Sequence, residues 1–235
     1  MFNWIDLLFL FAAGSIAGWF IELLHRKNLK KLTSGFLNGP YLPVYGFGLI
    51  LIYVISLFEI NIILRIISFA VLITTLELIT GFIFVKYFKI KLWNYSDDFL
   101  NFKGIICPLY SFYFAALSML FYFFVFPWVQ TALNLIEGNH IAYFVLGAFY
   151  TVFLIDTIIS FRIAAKIKVA VAEFNQHHIA KVVVDYSNFR DSVVEYLKKT
   201  GETNCVLRFI FTVHNLVSKE IKTQIDKFLK KKEGQ

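Results

Sequence analysis

Long apolar runs separated by short polar or glycine- and proline-rich connections set the rhythm of the first 160 residues. Five of these runs, 5–24, 44–60, 63–85, 104–126 and 141–160, are long enough to cross a hydrocarbon core as helices, which takes about 20 residues with a usable range of about 17–25. Beyond residue 160 the pattern becomes amphipathic. Ile163, Ile167, Ala170 and Phe174 form a helical stripe, which slips near His177 and resumes through Ile179, Val182, Tyr186, Phe189 and Val193. A further stripe from Val206 through Ile210, Val213, Val217 and Ile221 to Ile225 follows a break at Thr200-Gly201-Glu202-Thr203. The pattern predicts an all-α integral membrane protein: a five-helix transmembrane bundle over 1–160, then a cytosolic helical tail over 161–235.

Composition supports the membrane class. Hydrophobic residues make up 58% of the 235, aromatics 19% and charged residues only 17%, beyond what a soluble core can bury. In a soluble chain a net charge of +7 would point to nucleic acid; here the position of the basic residues matters more. Connection 25–43 carries four Lys and Arg, connection 86–103 four, and the tail fourteen, while Arg65 stands by itself on the other side. With 22 of 23 on one side, the positive-inside tendency predicts an N-terminus outside and a C-terminus in the cytosol. The first run is no cleavable signal peptide, because Asp6 and no basic residue precede it and basic residues follow it. Trp4, Trp93 and Trp128 sit near predicted helix ends, as interfacial anchors do. Cys107 and Cys205 fit neither a disulfide framework nor a zinc motif and read as reduced thiols. No metal or cofactor site is expected, and the adjacent His177 and His178 point about 100° apart on a helix.

Three acids fall within the apolar runs: Glu22, Glu77 and Asp156. Such residues are costly in lipid and face a bundle interior or a wet cavity. No lysine or arginine stands deep in a span to neutralise them, so bound cations, protonation or neighbouring polar groups are the available partners. Glu22, near a helix end, can also snorkel to the interface. Glu77 lies in Thr74-Thr75-Leu-Glu-Leu-Ile-Thr80-Gly81, whose hydroxyls can bond a carboxyl. Under the predicted topology all three acids occupy the cytosolic half, at the level where runs two and four begin with Pro43, Tyr45, Gly46 and Gly48, and with Gly104, Cys107, Pro108, Tyr110 and Ser111. These residues predict a polar cavity open to the cytosol. Gly14 and Gly18 form a small-xxx-small pattern and predict close helix packing.

The densest irregular stretch is Gly35-Phe-Leu-Asn-Gly-Pro-Tyr-Leu-Pro-Val-Tyr-Gly-Phe-Gly48, two prolines and four glycines between apolar runs. Together with Gly18-Trp19 and Glu22, Leu76-Glu77 with Thr80-Gly81, Trp93-Asn94-Tyr95-Ser96, Asn101 with Gly104 and Ile106-Cys107, and Ile155-Asp156, it resembles the membrane family of ABC-transporter type IV or CmpB-like permeases, from about Gly14 to Asp156. The chain departs from that pattern at Asn94, where the family usually has an acid before the Tyr-Ser pair. The resemblance implies a transport role in a bacterial cytoplasmic membrane. It also adds Trp19, Asn38, Gly39, Pro40, Tyr95, Ser96 and Asn101 to Glu22, Pro43, Tyr45, Glu77, Thr80 and Asp156 as candidate lining of a substrate or ion pathway.

No GxxxxGK[ST] phosphate loop is present. An ABC-type permease of this sequence therefore needs a separate ATP-binding subunit, with the 86–103 connection, through Tyr95, Ser96, Asp97 and Asp98, or the tail as docking element. Membrane lipids, and a second copy of the chain, are the other expected partners; nucleic acid is not. Two other functions remain open. One is an intramembrane enzyme acting on a lipid or isoprenoid, with Glu77 or Glu22 as base or metal ligand and Gly39 near the anion, although no HExxH or DxxxD signature accompanies it. The other is a non-catalytic scaffold or regulator working through its cytosolic helices, which otherwise pack on each other or lie along the bilayer surface with Lys230-Lys231-Lys232 touching anionic headgroups.

Overall fold

A computed structural model of the chain describes residues 3–25, 36–177 and 184–185, with side chains over 3–24, 36–162 and 164–165. Its helices are α1 (Trp4–His25), α2 (Pro43–Ser56), α3 (Ile62–Ile83), α4 (Pro108–Leu120), α5 (Phe126–Ile136) and α6 (His140–His177). A π-helical turn, Phe121–Val125, joins α4 and α5 into one apolar rod, so the described residues form five helical rods. Four rods are long and apolar enough to cross a membrane: Trp4–Leu24, Ile62–Phe88, Pro108–Ile136 and His140–Arg162. Large apolar side chains such as Leu24, Ile63, Phe112, Phe124 and Phe144 are exposed along them, as a lipid-facing surface requires.

The boundaries depart from the sequence pattern in three places. Run 44–60 becomes α2, 14 residues long; at 1.5 Å per residue it rises about 21 Å, short of the roughly 30 Å hydrocarbon core. The fourth run starts at Pro108, the first helical residue after Cys107, because Gly104 to Ile106 belong to a folded turn in which Phe102 and Ile106 form a β-bridge. The same run passes Phe126 and ends at Ile136. A proline at 127 would ordinarily stop it, since the ring lacks an N–H and clashes with the preceding turn. The helix accommodates it by widening that turn: Phe126 N–H donates to the Phe121 carbonyl five residues back, and α5 restarts with Pro127 in its first turn. Trp128 therefore lies inside the rod instead of at its end.

Of the described residues, 3–25, 36–80 and 94–158 form one compact unit. Its core gathers Leu10, Tyr53 and Leu133 with Leu7, Phe9, Leu49, Ile50, Phe126 and Val129, from α1, α2 and α5. Small residues let α1 and α2 approach closely. A Cβ on Gly46 would meet Ser15 Oγ and stand 2.6 Å from the Phe11 carbonyl oxygen, and one on Gly18 would collide with the Tyr45 ring. Arg65 was expected on the outer connection, but it is buried at 3% exposure in the first turn of α3. Its guanidinium donates to the carbonyls of Ile55 (3.0 Å), Phe58 (2.8 Å) and Ile60 (3.4 Å) and lies 4.0 Å from the centre of the Tyr122 ring. The absence of a buried cation expected from the sequence is thus corrected. This one serves carbonyls left open at the end of α2, where a cation suits the helix dipole, and it neutralises no acid.

Of the described residues, 81–93, 159–177 and 184–185 form the second unit. The rod of α3 ends there in a π-helical turn, Phe84–Phe88, closed by Lys89 in the left-handed region at φ 60°. Strand β1 (Ile90–Lys91) then pairs in parallel with β2 (Val184–Asp185), Ile90 opposite Val184, a two-residue addition to an otherwise helical fold. Phe84, Phe88 and Phe161 cluster with ring centres 5.5–6.2 Å apart. Helix α6 runs without a break through residue 160, where the sequence pattern divides membrane from tail, and ends at His177, where the stripe slips. The later stripes, the 200–203 break, Cys205 and the Lys230–Lys232 cluster lie outside the described residues.

Candidate functional site

Two polar assemblies are built around two of the three intramembrane acids, and the irregular stretch after α1 contributes to both. In the first, Asp156 of α6 is buried and receives the backbone N–H groups of Asn38 and Gly39 and the Tyr41 hydroxyl on Oδ2, with the Asn38 amide on Oδ1, each at 2.8 Å. Both carboxyl oxygens of the buried side chain are thus supplied with donors. The loop turns tightly at Gly39, whose carbonyl accepts from Tyr41 N–H, and Leu42 N–H donates to the Ser15 carbonyl of α1. Tyr41 packs edge-on against Phe149 and Phe153. Its own burial first, and then the adjoining Asp156 carboxylate, push the Tyr41 phenol well above its usual range, so it stays a donor. Asp156 therefore fastens the loop to α6. Sequence reasoning placed Asn38, Gly39 and Asp156 together as pathway residues, but missed Tyr41, whose position between Gly39-Pro40 and Pro43 was the available signal. Pro40 is exposed, and Pro43 opens α2 in its first turn.

The second assembly surrounds Glu77 of α3, which is only 6% exposed. Its Oε1 accepts from the Tyr95 hydroxyl at 3.2 Å, and Oε2 is buried with no donor. The donor expected from the nearby threonines comes instead from a loop 18 residues on. Tyr95 stacks on Tyr110, ring centres 4.4 Å apart at 14°. The Tyr45 hydroxyl of α2 lies within electrostatic reach of both Glu22 and Glu77, and Tyr95 within reach of Tyr45 and Tyr110. Burial, reinforced by the charge of Glu77, holds the Tyr95 phenol well above its ordinary value, so it too remains a donor. Glu22, Tyr45, Glu77 and Tyr95, drawn from three helices and one loop, are thus brought together. Tyr110, the stacking partner, was not singled out for this assembly.

The loop carrying Tyr95 is itself tied internally. Asn101 Nδ2 donates to the carbonyls of Ser96 (3.2 Å) and Asp98 (2.8 Å), and Asn101 Oδ1 accepts from Gly104 N–H at 3.0 Å. Asn94 Oδ1 accepts from the backbone N–H and hydroxyl of Ser96, at 3.2 and 2.6 Å. These bonds need an oxygen and no charge, so asparagine can do here what an acid would. Tyr95 N–H donates to the Gly104 carbonyl, closing the loop, and the buried free thiol of Cys107 lies 3.4 Å from the Phe99 carbonyl. Ser96 and Asn101 are accordingly built into the loop that presents Tyr95. Trp19 is half-buried against Phe20, and Thr80 is half-buried one helical turn beyond Glu77. Among the described residues, no three His, Cys, Asp or Glu side chains gather as a metal site would require.

A multi-pass helical membrane protein with carboxyl groups buried inside its spans is a class to which many transporters belong. The model of the family described as "Putative ABC-transporter type IV" matches residues 9–161, more than half of the chain, and the chain belongs to that family. No curated protein and no solved structure matches it.

Proposed function

We propose that the chain is a permease-like subunit of a transport system in the cytoplasmic membrane, energised by a separate ATP-binding protein. The observation that carries this reading is the family match over 9–161, which spans both polar assemblies. The sequence has no phosphate-binding loop of its own, so the nucleotide chemistry belongs to a partner. The N-terminus lies outside and the C-terminus inside, with α2 as a short crossing. Only with α2 crossing do 22 of the 23 Lys and Arg fall on one side. The tail, 161–235, is then cytosolic, and the loop with Asp97 and Asp98, together with the tail, forms the docking surface for the ATPase. Glu22, Tyr45, Glu77 and Tyr95 line the path of the transported species, while Asp156 and the 38–41 loop hold its wall.

The test is affinity purification of the tagged chain from its native host in mild detergent, with quantification of what accompanies it. A nucleotide-binding protein at fixed stoichiometry, lost when Asp97 and Asp98 are both changed to Ala or when 166–235 is deleted, is the expected result. A chain that purifies without one overturns the ATPase-coupled reading.

A further inference from the structure

Two buried polar atoms among the described residues lack a hydrogen-bond partner, Ser15 Oγ and Glu77 Oε2. They differ in kind. Ser15 is a neutral hydroxyl whose proton can rotate, at a contact where it already shapes the approach of Gly46. Glu77 is a carboxyl inside a membrane helix, and its one visible bond, 3.2 Å from the Tyr95 hydroxyl, is long for an O–H···O contact. Its second oxygen has no partner among the described residues.

The surroundings indicate which donor. A second acidic side chain, Glu22, shares the Tyr45 hydroxyl as a neighbour with Glu77, so two carboxyl groups converge on this place. Arg65 is committed to backbone carbonyls and the Tyr122 ring. A bare divalent ion would call for six or more hard oxygen ligands, and no group of three metal-ligating side chains forms among the described residues. The remaining lining is aromatic: Tyr45, Tyr95 and Tyr110. A protonated amine matches each of these features, because it carries N–H donors for Oε2, a positive charge suited to a place lined by acidic side chains, and carbon-bound hydrogens that favour tyrosine rings. A quaternary ammonium lacks the N–H. Glu22, Tyr45 and Tyr95 are each only half-buried, which leaves an edge for entry.

We propose that Glu77, with Glu22, Tyr45, Tyr95 and Tyr110, forms a binding site for a protonated primary amine whose N–H is directed at Oε2. The inference rests on the transport reading for its physiological meaning, as the charge class of the species handled, and its test reads binding alone.

The full-length chain in mild detergent is titrated with methylammonium chloride replacing sodium chloride at constant ionic strength. Tryptophan fluorescence is followed, since Trp19 adjoins the Gly18 that Tyr45 covers. A saturable change with methylammonium, absent with tetramethylammonium, is expected. Glu77→Gln should weaken it at least about tenfold and Tyr95→Phe several-fold, as loss of a charge-assisted and a neutral hydrogen bond would. Glu59→Gln, on the exposed α2–α3 connection, should leave it unchanged. No saturable response, an equal response to tetramethylammonium, or undiminished affinity in a folded Glu77→Gln chain overturns the proposal. If Glu77→Gln does not fold, Tyr95→Phe and the preference between the two ammonium ions decide. Amine binding by a chain that purifies without an ATPase would overturn only the coupled-transport reading. An ATPase partner without amine binding would overturn only this one.

Discussion

Asp156 and Glu77 are both acids buried in apolar helices, yet the chain treats them in opposite ways. Around Asp156, two backbone amides, a side-chain amide and a phenol converge at 2.8 Å, and the price of burying the carboxyl group is offset by these four donors. Around Glu77 one phenol reaches one oxygen and the other oxygen is left bare. The first arrangement is architecture: its carboxyl oxygens hold a loop. The second is incomplete by itself, and a polar group left incomplete inside a membrane protein is where a ligand or proton is to be sought.

Removing each carboxylate should separate the two roles most clearly. Asp156→Ala should lower stability by on the order of 3 kcal/mol, because it strands several donors at once, whereas Glu77→Gln should change it by less than about 1 kcal/mol, because Oε2 has no bond to lose. Thermal unfolding in one detergent, followed by circular dichroism, compares the pair; an equal loss in both would erase the distinction. The next largest effect concerns the scaffold that brings the stretch after α1 to both acids. Gly46→Ala puts a methyl group against the Phe11 backbone carbonyl, which cannot swing away, and should cost about 1–3 kcal/mol by forcing α1 from α2. The smallest effect is Tyr41→Phe, which removes one donor from Asp156 while others remain, at about 1 kcal/mol in the same assay. A loss as large as that of Asp156→Ala would mean that the tyrosine, and not the pair of backbone amides, holds the loop.

Much of this was legible in the sequence because lipid imposes a simple rule on helices. The first run, 5–24, corresponds to α1 nearly residue for residue, and Gly14 and Gly18 face α2 as the small-residue spacing predicts. What local pattern cannot convey is how far a rule bends. The fourth run was bounded at Phe126, but a single widened turn carries the helix past Pro127. Apolar composition extended the second run to residue 60, but the helix ends at Ser56, and the carbonyls of Ile55 and Phe58 turn to Arg65. The site was legible in part. The acids declared themselves by being costly where they stand, while their partners are non-local: Asn38 and Asp156 are 118 residues apart, and nothing in the helical spacing around Glu77 selects Tyr95 over the threonines of its own helix. Asn101 illustrates the converse, a residue noticed for its family pattern whose bonds are all to its own loop.

The position of Arg65 bears on how the protein enters its membrane. Its guanidinium is satisfied only by carbonyls at the end of α2 and a ring from the π-helical turn beyond α4. While α3 is being inserted without α2 beside it, that charge has no partner and opposes passage through the hydrocarbon. Once α2 is present, the same charge is chelated by the corner that joins the two helices. Insertion of α3 with the end of α2 already beside its first turn is therefore cheaper than insertion of α3 without it, and the chain carries within its second and third helices an instruction about the order of its own assembly.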